Sequence, residues 1–236
     1  MKNIVIIPTY NEASNIKELV GQLLKLTRAN LDILIIDDNS PDGTGRIADE
    51  LSQQSESVQV LHRSLKQGLG PAYLAGFKKV LNQNYDLICQ MDADFSHRPA
   101  DLLRLIDQAI LTKKFVIGSR YVYGSRINNY NKKRLFLSRS ANYYYKITLR
   151  LPANDLTSGF RCFPRQLLQQ IQLENFFSNG YGFLVEFAYR VNQAGFGFVE
   201  TPITFIDRKN GQSKLTSAIV RESLFLPWRL KSIKTF

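Results

Sequence analysis

Short, mostly apolar segments alternate with amphipathic segments through the first half of the chain. Five apolar segments have the length and β-branched composition of buried strands: 4–7, 31–36, 58–61, 87–91 and 115–117. Four segments between them repeat apolar residues with the period of a helix: 13–27, a segment from a cap at Asp42 or Thr44 to about Leu51, 69–81 and 99–111. This alternation predicts an α/β fold with a Rossmann-like, mostly parallel sheet sandwiched by helices.

Polar segments follow four of the five predicted strands. They are residues 8–12 (PTYNE), 37–44 (DDNSPDGT), 92–94 (DAD) and 118–120 (GSR). The carboxyl ends of parallel strands meet at one edge of a sheet, and ligands of such sheets bind there. We therefore expect these segments to line a single cleft.

Asp92 and Asp94 are the most informative pair of residues at these strand ends. Two carboxylates separated by one residue across a turn can share a hard divalent cation, Mg²⁺ or Mn²⁺, with positions left for phosphate oxygens. The alternative is an ordinary solvated turn. The buried strand before the pair and the other acidic strand ends favour a cation, because crowded carboxylates repel one another.

Residues 43–48 (GTGRIA) match the dinucleotide-binding pattern G-x-G-x-x-A, which suggests a dehydrogenase as an alternative. Three acidic residues, Asp37, Asp38 and Asp42, precede this segment and would repel a pyrophosphate. The next strand ends in His62 and Arg63 rather than in an acidic ribose ligand. Both observations argue against a dehydrogenase.

The 236 residues carry a net charge of +11, and the whole excess lies in the second half. Residues 1–118 contain 13 basic and 14 acidic residues, whereas residues 119–236 contain 18 and 6. Such asymmetry indicates a basic surface for nucleic acid, anionic lipid or a phosphorylated substrate, with a merely solvated face as the alternative. Two cysteines favour a reducing compartment, and no uncharged stretch is long enough to predict a membrane-spanning helix.

Several motifs together resemble those of inverting family 2 glycosyltransferases. The first are residues 8–12, 35–44, 68–73 (GLGPAY) and 91–99 (MDADFSHRP). Downstream, the resemblance narrows to the dolichol-phosphate (polyprenyl-phosphate) mannose synthases, through residues 118–121 (GSRY), 155–161 (DLTSGFR) and 207–214 (DRKNGQSK). It covers about residues 3–225, nearly the whole chain.

The resemblance implies a single GT-A domain over residues 1–236. Residues 1–118 would bind a nucleotide sugar, and the basic residues 119–236 would face the acceptor and the membrane. The implied reaction moves mannose from GDP-mannose to a polyprenyl phosphate with inversion. UDP-glucose or another sugar nucleotide is the alternative donor, and a nucleic-acid-binding module is the alternative from another class. No recognisable nucleic-acid-binding motif supports the module, so we expect no nucleic-acid partner.

Site residues are carried over from the resemblance position by position. The implied metal ligands are Asp92, Asp94 and Ser96, with Mg²⁺ or Mn²⁺ as cofactor. The implied catalytic residues are Asp94, Arg120, Arg208 and Lys214. The implied acceptor-phosphate contacts are Arg134 and Arg139. The implied nucleotide-sugar contacts are Pro8, Tyr10, Glu12, Ile36, Asp38, Asp92, Ala93 (through its backbone), Asp94, Arg120, Arg208 and Lys214.

Two basic and aromatic segments, 132–150 and 224–229, suit helices that lie in a membrane interface. The alternative for each is an ordinary core-facing helix with a charged outer side. Together with a lipid-linked acceptor they predict peripheral attachment to the cytoplasmic face of a membrane, with or without a tethering subunit. His97 is expected to help cap the helix at Pro99. Glu186 is expected either to pair with an arginine or to touch the acceptor.

Overall fold

The computed structural model describes residues 1–129, 131–207 and 217–232. Its strands are β1 (Asn3–Thr9), β2 (Leu31–Asp37), β3 (Val58–His62), β4 (Leu87–Gln90), β5 (Phe115–Ser119), β6 (Arg126–Asn128), β7 (Arg161–Pro164), β8 (Phe198–Pro202) and β9 (Thr204–Ile206). Its helices are α1 (Ile16–Leu24), α2 (Thr44–Gln54), α3 (Leu69–Leu81), α4 (Pro99–Thr112), α5 (Lys132–Leu149), α6 (Arg165–Gln170), α7 (Gly182–Gln193) and α8 (Ser217–Ser232).

Seven strands form the central sheet in the order β3-β2-β1-β4-β7-β5-β8. All neighbouring pairs are parallel except those of β7, which runs antiparallel to both β4 and β5. The carboxyl ends of β1, β2, β4 and β5 therefore lie at the same edge of the sheet. This confirms the expected mostly parallel sheet, although the sequence pattern did not predict the antiparallel strand inside it.

Helices cover both faces of the sheet. Helices α1, α2 and α4 bury an apolar cluster on one face, built on Val5, Ile33 and Cys89. Helices α3, α5, α6, α7 and α8 bury the larger cluster on the other face, built on Ile4 and Ile88. Both faces of β1, β2 and β4 are thus removed from water, which explains why most of their residues are apolar.

The nine elements predicted from the first half are present, with ends shifted by a few residues. The shifts are largest at both ends of α1, which spans Ile16–Leu24 instead of 13–27, and at the end of α2, which lies at Gln54 instead of about Leu51. Helix α2 begins at Thr44, and Asp42 Oδ1 accepts the Thr44 N–H at 3.0 Å. Between residues 1 and 129, 131 and 207, and 217 and 232, no helix has both the length and the apolar character needed to cross a bilayer.

A parallel two-stranded sheet of β6 and β9 lies beside the end of β4. The Ile206 N–H donates to the Ser96 carbonyl at 3.1 Å, and the Thr204 N–H donates to Asp101 Oδ2 at 2.9 Å. These bonds join β9 to the segment that follows β4. The second half of the chain therefore holds in place a loop that belongs to the first half.

Candidate active site

The polar segments after β1 and β2 are joined where the two strands end. The Asp38 N–H donates to the Thr9 carbonyl at 3.1 Å, and the Asn11 N–H donates to Ser40 Oγ at 3.1 Å. Asn11 and Asn39 both have positive φ angles, 60° and 58°, which asparagine tolerates better than most residues. The predicted convergence of these two strand ends is confirmed.

Asp37 and Asp38 are adjacent but have different partners. Asp37 accepts hydrogen bonds from the Ser40 hydroxyl at 2.6 Å and the Ser40 N–H at 3.1 Å, so it shapes its own turn. Asp38 Oδ1 accepts from Arg63 Nη1 at 2.7 Å, and both side chains are largely buried. Burial raises the pKa of Asp38, although Arg63 opposes the shift. Asp38 and Arg63 together form a buried polar wall of the cleft.

The other predicted nucleotide contacts after β1 are partly accessible. Pro8, Tyr10 and Glu12 are half-buried, and the ammonium of Lys66 lies 3.4 Å from the centre of the Tyr10 ring. The Glu12 N–H donates to Thr44 Oγ1 at 2.9 Å, which fixes the segment against the start of α2. Their contact with a nucleotide stays a prediction.

The prediction that Ile36 contacts the nucleoside is wrong for its side chain. Ile36 has no exposed surface and belongs to the apolar cluster on the α3 face of the sheet. A Cβ on Gly76 of α3 would lie 2.6 Å from Ile36 Cδ1, so the side chain fills space under that helix. Side chains alternate between the two faces of a strand, and this position points to the core.

The D-x-D turn, residues 92–98, follows β4. Asp94 Oδ1 accepts the Ser96 N–H at 2.9 Å, and Phe95 between them has a φ of 59°. A positive φ is uncommon for a bulky residue and is found mainly where the surrounding structure imposes it. Here the Asp94 carboxylate and the Ser96–Ile206 bond hold both sides of Phe95. The turn is therefore built to present Asp92 and Asp94 in a fixed arrangement.

Two residues that the sequence argument did not place in the site lie against Asp92. Gly159 is so close that a Cβ there would lie 3.0 Å from Asp92 Oδ1. His97, expected to cap α4, instead accepts the Asp92 N–H at Nδ1 over 3.4 Å and stacks on Phe160 with ring centres 4.8 Å apart. The N-cap residue of α4 is Arg98, without a side-chain cap. Burial lowers the pKa of His97 despite the opposing charges of Asp92 and Asp94.

The donor set at the turn suits a hard divalent cation held together with a substrate. The side chain of Asp92 is 28% exposed, and carboxylate oxygens are the ligands that Mg²⁺ and Mn²⁺ prefer. Within the described ranges, no cluster of three or more His, Cys, Asp or Glu side chains forms a complete metal site. Two carboxylates with further positions for phosphate oxygens and water are usual for Mg²⁺. The Ser96 side chain is buried, and its metal contact stays a prediction.

Arg120 is held by a buried carboxylate just after β5. Its Nε and Nη2 donate to the two oxygens of Asp155 at 2.8 and 2.6 Å, and Asp155 has no exposed surface. Nη2 also donates to Thr157 Oγ1 at 2.8 Å. The fork geometry fixes the guanidinium at the edge of the sheet. Contact of Arg120 with phosphate stays a prediction, and Asp155 is its orienting partner.

The two predicted acceptor contacts lie on α5, close to Arg120. The guanidinium of Arg139 is 5.6 Å, and that of Arg120 5.1 Å, from the ring centre of Tyr121. Arg134 is 43% exposed and its Nη1 donates to Asp207 Oδ1 at 2.6 Å. The structure therefore brings three predicted cations to one side of the site. The remaining two, Arg208 and Lys214, lie outside the described residues.

Glu186 is a structural residue of α7. It has no exposed surface, its Oε1 accepts from Arg190 Nη2 at 2.7 Å, and its Oε2 accepts the Ser178 N–H at 2.9 Å. The arginine pairing is thereby confirmed over the acceptor contact. Its position among apolar residues could not tell the two apart. By contrast, Asp155 and Gly159 belong to the DLTSGFR motif, residues 155–161. Their place in that motif could have indicated that they lie at the site.

Comparison with known proteins agrees with this geometry. The model of the family described as Glycosyl transferase family 2 matches residues 4–172. The polyprenol monophosphomannose synthase of Mycolicibacterium smegmatis is 43% identical over 225 residues, covering 95% of this chain and 84% of that protein. The undecaprenyl-phosphate mannosyltransferase of Micrococcus luteus is 42% identical over 224 residues, covering 95% and 91%.

Solved structures show the same fold. Glucosyl-3-phosphoglycerate synthase from Mycobacterium tuberculosis, in complex with Mn²⁺ and UDP-glucose, aligns with a TM-score of 0.71 at 17% identity, over 99% of this chain and 80% of that one. Mannosyl-3-phosphoglycerate synthase from Rubrobacter xylanophilus aligns with a TM-score of 0.69 at 16% identity, over 98% and 73%. With its GT-A fold, its strand-end cleft and the family match over most of its length, this chain belongs to glycosyl transferase family 2.

Proposed function

We propose that this chain transfers mannose from GDP-mannose to the phosphate of a polyprenyl (dolichyl-type) lipid, with inversion at the anomeric carbon. One observation carries the proposal: the chain matches two enzymes, over 95% of its length, whose names describe mannose transfer to polyprenyl phosphates. The cleft adds the parts that the chemistry needs. These are acidic side chains after β4 and cations after β5 and on α5.

Residues 1–118 form the nucleotide-sugar half in this proposal. Pro8, Tyr10 and Glu12 are accessible beside the buried Asp38–Arg63 pair, where a base and a ribose would be held. The D-x-D turn lies at the neighbouring strand end, so a nucleotide spanning β2 to β4 would place its diphosphate near Asp92, the backbone of Ala93, and Asp94.

A divalent cation, Mg²⁺ or Mn²⁺, would be held by Asp92 and Asp94 with Ser96 nearby. When bound, it would neutralise charge on the leaving diphosphate. Arg120, with its orientation fixed by Asp155, would supply a second positive charge close to the same group. Arg208 and Lys214 are proposed for the same task from their motif alone.

The acceptor explains why no general base is needed. A phosphate monoester is already ionised near neutral pH, so its oxygen can attack the anomeric carbon directly. The new bond forms between that oxygen and the anomeric carbon, and the bond to the diphosphate oxygen breaks on the opposite side. GDP leaves with the electron pair, and an α-linked donor becomes a β-linked product. Arg134 and Arg139 would hold the acceptor phosphate.

Helices α5 and α8 suit contact with the surface of a membrane. They pack together, and Tyr144 Oη donates to the Leu224 carbonyl at 2.7 Å. Large apolar side chains are more than half exposed on both helices; on α5 these are Phe136, Leu137, Tyr143 and Ile147, and on α8 Leu224, Phe225 and Trp228. Exposed basic residues, including Lys132 and Lys133, accompany them. We call the seven exposed apolar side chains the α5–α8 patch. We propose that this patch lies in the headgroup layer on the cytoplasmic side of a membrane.

A transfer assay tests the proposed function. The purified chain, Mn²⁺ or Mg²⁺, and undecaprenyl phosphate are incubated with radiolabelled GDP-mannose, and the label is followed into the organic phase. Label should enter the lipid, and Asp92→Asn should prevent it. UDP-glucose is the parallel donor. Transfer from UDP-glucose alone would mean that UDP-glucose is the donor, and no transfer to the lipid phosphate from either donor would contradict the proposal.

A further inference from the structure

Two polar side chains interrupt an apolar row on the α3 face of the sheet. The strand register places Leu34, Ile6, Gln90, Arg161 and Ile117 side by side across β2, β1, β4, β7 and β5. Leu34, Ile6 and Ile117 belong to the core cluster of this face. Gln90 and Arg161 are equally buried, with no exposed surface. Polar side chains at such depth need hydrogen-bond partners.

Gln90 has no such partner in the described part of the chain. Neither its Oε1 nor its Nε2 makes a hydrogen bond there. A buried amide without hydrogen-bond partners destabilises the folded state, whereas an apolar side chain of similar size at this position would not carry that penalty. Packing alone therefore does not explain why a glutamine occupies this position.

Arg161 is only partly satisfied. Its Nε donates to the Ser158 carbonyl at 2.8 Å, and Nη2 donates to the Leu156 and Leu184 carbonyls at 2.8 and 2.9 Å. Nη1 has no acceptor among residues 1–129, 131–207 and 217–232. Burial lowers the pKa of this guanidinium to about 9, against the opposing effects of Tyr73, Asp155 and Asp92. A cation thus lies in the core with neutral carbonyls as its described acceptors.

Tyr73 on α3 completes the group. It has no exposed surface, and its Oη has no hydrogen-bond partner in the ranges that the structure describes. Its ring stacks on Phe183 with centres 5.9 Å apart, inside the aromatic cluster over which Arg161 also lies. Burial raises the pKa of Tyr73 well above its usual value, and Asp92 adds to the shift while Arg161 opposes it. Tyr73 therefore belongs to the same stack of aromatic rings that the Arg161 guanidinium covers at Phe187.

The Gln90–Arg161 pair lies next to the start of the D-x-D turn, at the end of β4. Asp92 follows Gln90, the last residue of β4, by two residues. Gly159 precedes Arg161, the first residue of β7, by two residues, and a Cβ at Gly159 would meet the Asp92 carboxylate. Asp92 and its neighbour Gly159 thus each lie two residues along the chain from one member of this pair.

We propose that Tyr73, Gln90 and Arg161 form one buried hydrogen-bonding unit, completed by ordered internal water, that orients Asp92. Buried water typically makes about three hydrogen bonds to otherwise unsatisfied polar groups, and these three side chains offer both donors and an acceptor. All three are positioning residues, since they act through Asp92. The inference rests on the proposed function, in which Asp92 holds a divalent cation.

Two conservative variants test the unit: Tyr73→Phe, which removes only the hydroxyl, and Gln90→Leu, which removes the amide at similar volume. Mn²⁺ affinity in the presence of GDP is measured by titration calorimetry, and unfolding is followed by denaturant without metal. Each variant should bind Mn²⁺ at least about 10-fold more weakly, as is typical when residues behind a metal ligand are removed. The double variant should lose less than the product of the two effects, because both belong to one unit.

Tyr85→Phe is the matched control. Tyr85 is also buried, but its Oη donates to Asp32 at 2.7 Å, at the start of β2 and away from the cleft. Its loss should lower stability and leave Mn²⁺ affinity unchanged. A crystal structure should show water within hydrogen-bond distance of Tyr73 Oη, Gln90 and Arg161 Nη1.

The outcomes separate the inference from the proposed function. If the wild-type protein binds Mn²⁺ with GDP, but both variants bind it equally well and are more stable, the three groups are unsatisfied core residues and the inference is overturned. Absence of water between them in the crystal would overturn it as well. If the wild-type protein itself binds no Mn²⁺ with GDP, the metal site fails, and this role for the unit fails with it.

Discussion

The Asp94 carboxylate both stabilises its own turn and is proposed to bind a cation. Its Oδ1 accepts the Ser96 N–H, and its negative charge is needed to bind the proposed cation. Asp94→Asn keeps an acceptor oxygen for Ser96 while removing the charge. We expect the melting temperature to stay close to wild type and turnover to fall by about 10²-fold or more. Asp107→Asn on the exposed side of α4 is the control; near wild-type turnover of Asp94→Asn would refute the metal assignment.

Gly159 is required by a close approach rather than by its backbone conformation. A Cβ at this position would lie 3.0 and 3.3 Å from the two oxygens of Asp92, which would have to move. We expect Gly159→Ala to reduce transfer by about 10-fold or more, since misplaced ligands weaken metal sites to that extent. Gly21→Ala in α1, where no atom lies within 4 Å, should leave transfer unchanged. Equal kinetics for the two variants would show that Asp92 tolerates displacement.

At the scale of elements, α5 is joined to the segment that carries Asp155 and Gly159. Asn142 is buried in α5, and its Oδ1 accepts the N–H groups of Leu156 and Thr157 at 2.7 and 3.2 Å. Asn142→Ala would leave both without this acceptor, so we expect unfolding free energy to fall by about 2–4 kcal/mol in a denaturant titration. Ser140→Ala, exposed on the same helix, should change it by less than about 0.5 kcal/mol. A loss equal to that of Ser140→Ala would mean that α5 is not held by Asn142.

At the scale of the whole molecule, the basic half and the α5–α8 patch predict reversible binding to anionic vesicles. Each Lys or Arg near such a surface contributes about 1 kcal/mol, and salt screens this attraction. Trp228 is the chain's sole tryptophan and is 62% exposed, so its fluorescence reports on the patch directly. Its emission should shift to the blue with vesicles containing anionic lipid and return as salt is added.

Two variants locate that contact. Phe136→Ser lies in the patch on α5, whereas Leu111→Ser removes an equally exposed apolar side chain from α4 on the opposite face of the sheet. Only Phe136→Ser should weaken vesicle binding in sedimentation. Equal binding of wild type to neutral and anionic vesicles would exclude an electrostatic contribution, and equal loss in both variants would place the contact elsewhere.

The alternation of strands and helices, the acidic turn after β4 and the excess of positive charge in the second half could all be predicted from the amino-acid sequence. These features can be recognised within short segments. Apolar periodicity reflects the side-chain geometry of a single helix or strand. Polar residues directly after parallel strands are expected to meet, because the carboxyl ends of those strands share one edge of the sheet. Reliance on a short motif also explains why the predicted contact between the Ile36 side chain and the nucleoside is wrong. Its place in a motif indicated a ligand contact, but the alternation of the strand directs it to the core.

The residues that pack against the motifs could be identified only once the strands were placed in the sheet. Insertion of the antiparallel β7 between β4 and β5 places Gly159 against Asp92 and Arg161 beside Gln90. Asp155 reaches Arg120 across 35 residues. Ile206 of β9 holds the D-x-D turn at Ser96 from more than a hundred residues away. Such contacts depend on which strands become neighbours and in which register. That outcome is set by packing of the whole chain rather than by any local pattern.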